Sequence, residues 1–571
     1  MYQFSGKLKM LAIILMALGL IGTVISFGSA PKTLDEAKEI LAKQEAAHHG
    51  HGGGHATETH SSDTKEVKHE EKAHDVKVVE EATKETATTH ANDSLKGEAK
   101  DAEHATAHKE EATNEAHHAA DSTSHKEEEK ANAHQEADTT THTEAKTEEH
   151  HVAEIATAHK EEVSEAHHAA YNDTHATASH HGEDHGDAHA EHVFHQMQNR
   201  PWSAVYVSLL FFLGISLLVM AFYAAQRVAQ AGWSIVLFRV MEAITVNLHY
   251  IGAFMLVFII LTAMHANHLF SWMTPGTFDL QSPNYDPIVD AKKWWMNMPG
   301  WVMRSVFYLL VWNAFRFIIR RKSIEQDNGD LKLHKRIYNI SVGFIVVFMI
   351  TESMMSWDWI MGIDPHWFST LFGWYVLATF LVSALTVICL VTLYLRGKGY
   401  LPLVNDSHIH DLAKFMFGFS VFWTYLWFAQ FMLIWYADMP EETVYYVLRF
   451  KEYIVPFMGM VALNFIFPIL LLINSDFKTV PWIIVIAGMF ILVGHYVDLF
   501  VMIMPGTVGD QWGFGVGEIS AFLFFLGVFI FGTFTAFGKA NPVPKGNPYL
   551  HESETHHYYI IEHKGEDNAH H

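Results

Sequence analysis

Ten apolar segments decide what this chain can fold into. One occupies residues 10–28, and nine of roughly 20 residues follow near 203–225, 243–264, 300–319, 337–360, 368–395, 412–437, 453–474, 481–504 and 518–538. A helix of about 20 apolar residues crosses a hydrocarbon core about 30 Å thick. The sequence therefore predicts an all-α, polytopic membrane protein with about ten transmembrane helices. The first segment follows Lys7 and Lys9 and ends at Gly28-Ser29-Ala30. Those flanks fit a cleaved signal peptide as well as a retained helix, and both readings stay open.

A second composition is spliced between the first segment and the rest. Residues 31–195 hold 27 of the 41 histidines, and 38 acidic residues against 15 lysines give that stretch a net charge of −23, nearly the whole formal charge of −24. The stretch from Ala105 to Ala120 recurs in outline from Ala156 to Ala170, an internal duplication. So few apolar groups with so much charge cannot offset the entropy of folding, and disorder with transient helix is expected. The domain reading is 1–30 first helix or signal, 31–198 acidic histidine-rich insert, 199–540 membrane domain and 541–571 tail. The insert's imidazoles suit Zn, Cu or Ni, but no fixed ligand spacing is visible. A pH-responsive segment and a solubilising spacer are the other readings, and the spacer is favoured.

Cys389 is the one cysteine. It excludes a disulfide within the chain, a cysteine-rich zinc or iron–sulfur site and a covalent c-type haem. The histidines in the apolar segments do not supply the paired ligands that b-type haems or a haem–copper centre need. No cofactor is expected to be bound by this chain, a quinone excepted, and no nucleic-acid partner is expected.

Lysine and arginine bias orients the segments. The loop around 316–336 carries Arg316, Arg320, Arg321, Lys322, Lys332, Lys335 and Arg336, whereas the opposite loops carry only Lys292, Lys293, Arg304, Arg449 and Lys451. The first set is placed in the cytoplasm, with both termini. The insert and four polar helix ends then face the periplasm: His265-Ala-Asn-His268, Glu352 through His366, Trp435 through Pro440, and His495-Tyr-Val-Asp498. Four of these helices also end in a methionine and proline signal, at Met273–Pro275, Met361–Pro365, Met439–Pro440 and Met504–Pro505. A duplicated hairpin and ordinary helix stops both account for it.

Ionisable groups within a bilayer are costly and mark ion, proton or ligand paths. His495 and Asp498, three apart, share a helix face. With Glu352 and Asp358 they are candidates for the outer half of a proton path, and His249 for the inner half. The competing reading makes them caps and partners of Arg304 or Lys293, most plausibly at Asp358, Asp364 and Asp438. The aromatics Trp357, Trp359, Trp367, Trp374, Trp423, Trp427, Trp435 and Tyr436 suit either a quinone-headgroup pocket or an ordinary interfacial belt. The quinone-pocket candidates are His265, His268, Trp357, Trp435, Tyr436 and Asp438.

The run from Ser353 to Tyr375, with His265–His268, Asp438–Glu442 and His495–Asp498, resembles the ActF-type membrane subunit of bacterial alternative complex III, a quinol:cytochrome c oxidoreductase. The resemblance covers residues 200–540 and the first helix. Its wider group is the NrfD-like, polysulfide-reductase-type membrane subunits. It implies two four-helix bundles plus flanking helices in the inner membrane and electron flow from quinol. Iron–sulfur clusters and c haems would lie on partner subunits, beside a sister NrfD-like subunit that carries the better-supported quinol site. The insert lies outside that resemblance. The expected function is a core membrane subunit contributing a proton path. A purely structural anchor and a secondary transporter or ion channel are the alternatives.

Overall fold

In the computed structural model, residues 2–49 and 184–558 are described. All regular structure among them is helical. The ten long apolar helices are α1 (Gly6–Ser29), α3 (Asp184–Val228), α4 (Gly232–Ala263), α5 (Met298–Glu325), α6 (Leu331–Trp359), α7 (Phe372–Gly397), α8 (Asp406–Ala437), α10 (Ile454–Leu472), α11 (Pro481–Val508) and α12 (Val516–Phe537). All are long and apolar enough to cross a bilayer, so the chain is a multi-pass membrane protein. Three shorter helices matter here: α2 (Leu34–His49), α9 (Pro440–Glu452) and α13 (Leu550–Glu554).

Helix α3 is central because it is apolar on every side through its spanning part, which a helix can be only when neighbours surround it. It packs against α4, α6, α7, α11 and α12. Around it, α4, α5 and α6 pack as successive neighbours. On its other side, α7 lies against α8 and α11, and α10 against α11. Local chemistry sets the helix starts. Asn297 caps α5 through Gly300 N–H, Asp330 caps α6 through Lys332 N–H, and Asn405 caps α8 through the amides of Ser407 and His408. Helix α9 begins with Pro440, Glu441 and Glu442 and ends with Arg449 and Lys451, an order that complements the helix dipole.

The first helix is seated on the last by small residues. A Cβ on Gly19 would lie 2.3 Å from Phe524 N, and one on Gly527 would lie 2.7 Å from Met16 Cγ. Close backbone approach through small residues is how helices associate in lipid, where no hydrophobic force draws them together. Replacing Gly19 with leucine is expected to cost about 1–3 kcal/mol, read as a lower unfolding temperature of the detergent-purified chain. An unchanged melting curve would refute this packing.

The structure departs from the sequence reading at both ends of the 31–198 segment. Residues 34–49 and 184–198 are helical, and Ala37, Ile40 and Leu41 pack on Val193, Phe194 and Met197. These residues form one apolar stripe per helix, which the charge-rich average of the segment hides. Residues 50–183, with the duplication and most of the histidines, lie outside the described residues. The tail also differs. Ser553 on α13 donates to Trp233 O (2.7 Å), and His556 and Tyr558 bond to Asp411 at 2.8 and 2.6 Å. The body therefore continues to at least residue 558. Among the proline signals, Pro440 opens α9 and Pro505 lies inside α11.

Candidate functional site

Helix α11 carries His495 and Asp498 on one face, and both side chains are 0 % exposed. Three other helices converge on them. Tyr375 and Thr379 of α7 donate hydroxyl bonds to the Asp498 carboxylate, Thr379 at 2.8 Å, and Trp423 Nε1 of α8 donates to Oδ2 at 2.9 Å. His495 Nδ1 lies 3.6 Å from Asp498 Oδ2, too far for a hydrogen bond. Asn464 Nδ2 donates to that same nitrogen at 3.3 Å.

Asn464 is there because α10 is broken. Residues Ala462–Ile466 form a single π turn, a distortion found frequently at functional sites. Pro468 explains it, since its missing N–H would have bonded to Asn464 O in a regular α-helix. The turn brings Asn464 so near α11 that a Cβ on Gly494 would lie 2.1 Å from Asn464 Oδ1. Two atoms remain unspent: His495 Nε2 and Asn464 Oδ1 are buried with no partner among the described residues. Among the described residues Asp498 has no lysine or arginine partner. An imidazole that can shift its proton between nitrogens, beside a carboxylate held only by neutral donors, can accept and pass a proton.

The other candidates fall into different settings. Glu352, on α6, is 1 % exposed, and its Oε1 has no hydrogen-bond partner among the described residues. Asp358, near the end of the same helix, is saturated. Arg304 donates to both its oxygens at 2.8 and 2.7 Å, and Tyr308 adds a bond at 2.8 Å. Its partner arginine lies over the Trp295 ring. A carboxylate so held serves as a fixed counter-ion, so the structure separates Asp358 from Glu352.

His249, on α4, is filled on both nitrogens. It meets Asn313 through Nδ1 and Arg316 through Nε2, the latter at 2.7 Å. Arginine only donates, so Nε2 accepts and Nδ1 carries the proton. That arrangement leaves His249 no free nitrogen. About two turns before it lies a cluster not singled out by the sequence reading. Glu242 (2 % exposed) accepts from Arg239 at 2.7 Å, from Arg320, from Tyr223 at 2.7 Å and from Ser323, with Arg227 at 3.8 Å. The available signal was an acid within an apolar segment with an arginine three residues before it.

The proposed quinone-pocket residues separate. Trp435 and Tyr436 are exposed, and Asp438 is the left-handed cap of α8. His265 sits in the loop after α4 with φ +57°, and His268 faces His195 with ring centroids 5.4 Å apart. Burial, with His195 and His265 nearby, lowers the His268 pKa. Trp357 does line a cavity, of about 290 Å³, together with Trp272, Trp294, Trp295, Trp301 and Trp367. Its wall also includes Arg304 and Lys292. The indole N–H groups of Trp272 and Trp367 are buried without acceptors. Flat aromatic walls suit stacking by a planar ring, and Asp358 and Asp364 also line the cavity.

Asp364 borders this cavity and a second, of about 240 Å³, that is also lined by His366, Tyr445 and Arg449. Among the described residues no cluster of three histidine, cysteine or acidic side chains suits a metal ion. No known protein family's sequence profile matches the chain, and no curated protein matches it.

Proposed function

We propose that this chain is a core membrane subunit of a respiratory quinol:cytochrome c oxidoreductase in a bacterial inner membrane, contributing a proton path beside partner-borne redox centres. In this reading α3–α6 form one four-helix bundle and α7, α8, α10 and α11 a second, flanked by α1 and α12. Both termini are cytoplasmic and the histidine-rich insert is periplasmic. The iron–sulfur clusters and c haems belong to an iron–sulfur subunit and c-type cytochrome subunits, assembled with a sister NrfD-like chain.

The observation that carries the reading is the His495–Asp498 pair, fully buried and, among the described residues, without a lysine or arginine partner and with an unpartnered imidazole nitrogen. A buried acid held by neutral donors alone has no structural counter-charge to serve, which favours a role in moving protons. Glu352, buried with an unpartnered oxygen, is assigned to the same path. Asp358 and Arg304 act as a fixed pair, and His249 is closed as it stands. A quinol at the tryptophan-lined cavity supplies electrons and protons. This chain's part there is to stack on the ring.

Mild detergent extraction followed by mass spectrometry of co-purifying chains tests membership. Haem-bearing and iron–sulfur partners are expected, and purification of the chain alone would overturn the assignment. The second reading, a secondary transporter, is favoured by the broken helix α10, because interrupted helices build transporter sites. Lone purification is the result that reading expects.

A further inference from the structure

Arg449, on α9, is 4 % exposed, yet it forms no ion pair among the described residues. Its Nη1 donates to Tyr445 O at 2.7 Å and its Nη2 to Met502 O at 3.4 Å. Its Nε is buried without an acceptor. The guanidinium lies 3.2 Å from the Tyr445 ring centroid, and that ring is stacked on Trp367 at 4.0 Å. A buried cation held by two carbonyls and an aromatic face is left without a counter-charge, which is costly.

This cation lines the cavity of about 240 Å³, a volume equal to about eight waters at roughly 30 Å³ each. Asp364 is the other charged side chain on the wall, and it is not within ion-pair distance of Arg449 among the described residues. Asp286 pairs with His366 at 2.6 Å. Lys292 donates to Pro365 O at 2.7 Å and its charge faces Asp364. One side of the wall is apolar, with Ile360, Ile363, Phe372, Val444, Leu448 and Met502.

We propose that this cavity is a binding site for a small monocarboxylate, its carboxylate on the Arg449 guanidinium and its apolar body against Ile363, Phe372 and Leu448. Guanidinium is the side chain best shaped to hold a carboxylate through paired hydrogen bonds. The apolar wall selects against a bare inorganic anion, and Asp364 selects against a second negative charge. The site stands independently of any proton path.

Equilibrium dialysis of the detergent-purified full-length chain against butyrate, butyramide and inorganic phosphate tests it. Butyrate is expected to bind, with butyramide and phosphate much weaker. Arg449→Gln is expected to weaken butyrate about tenfold to a hundredfold, the worth of one or two charge-assisted hydrogen bonds. Asp364→Asn is expected to tighten it, a gain that misfolding cannot mimic. The proposal is overturned if butyramide or phosphate binds as well as butyrate, if a monodisperse Arg449→Gln chain binds butyrate as the native chain does, or if Asp364→Asn brings no gain.

Discussion

Glu242→Gln leaves little folded protein. Glu242 is the shared acceptor of Arg239, Arg320, Tyr223 and Ser323, and Arg227 stands 3.8 Å away. Glutamine keeps one oxygen and turns the other acceptor into a donor, which then faces donors. Asp327 still pairs with Arg239 at 2.6 Å, but Arg227 and Arg320 lose their carboxylate. Removing one member of a buried ion pair costs about 3–5 kcal/mol, and here one removal strands several cations. The expected result is a large fall in monodisperse material on size-exclusion chromatography and a much lower unfolding temperature. Native-like yield and melting would show that the arginines are neutralised by other means.

Asp498→Asn is expected to act in the opposite manner, with the fold kept and the chemistry lost. The asparagine oxygen can take the place of Oδ2 and accept from Thr379 and Trp423, as the carboxylate does now. Its amide then faces Tyr375, whose hydroxyl can turn from donor to acceptor. The cost in stability is about 1–2 kcal/mol, on the scale of one altered hydrogen bond. What disappears is a group beside His495 that can take up and release a proton. Thermal unfolding close to that of the native chain, together with loss of proton transfer, is the expected pair of results.

The membrane architecture was legible because burial in lipid demands long apolar runs, and each of the ten runs corresponds to a helix in the structure. Residue-level roles were less so. Asp358 and Asp498 look alike in sequence, as acids in the outer parts of apolar segments. Only packing against α5 gives Asp358 an arginine, and only packing against α7 and α8 gives Asp498 neutral donors. The pairing of His495 with Asp498 was readable from helical spacing. The contribution of Asn464 was not, since it depends on a π turn that Pro468 permits and periodicity does not reveal. Arg449 was read as one more positive charge in a loop. Its contact with Tyr445 is one helical turn within α9, but its burial and its bond to Met502 O on α11 are tertiary effects. The exposed Trp435, Tyr436 and Asp438 show the converse, since aromatic and acidic residues at a helix end suit an interface as readily as a pocket.

The central claim is that protons move through the buried His495–Asp498 site. The measurement that tests it most directly is the number of protons translocated per electron by the complex proposed above, reconstituted in proteoliposomes, native and Asp498→Asn compared at equal complex content. The account predicts a markedly lower ratio in the variant, with the complex still assembled. An unchanged ratio would contradict it and leave the chain as a membrane anchor for its neighbours.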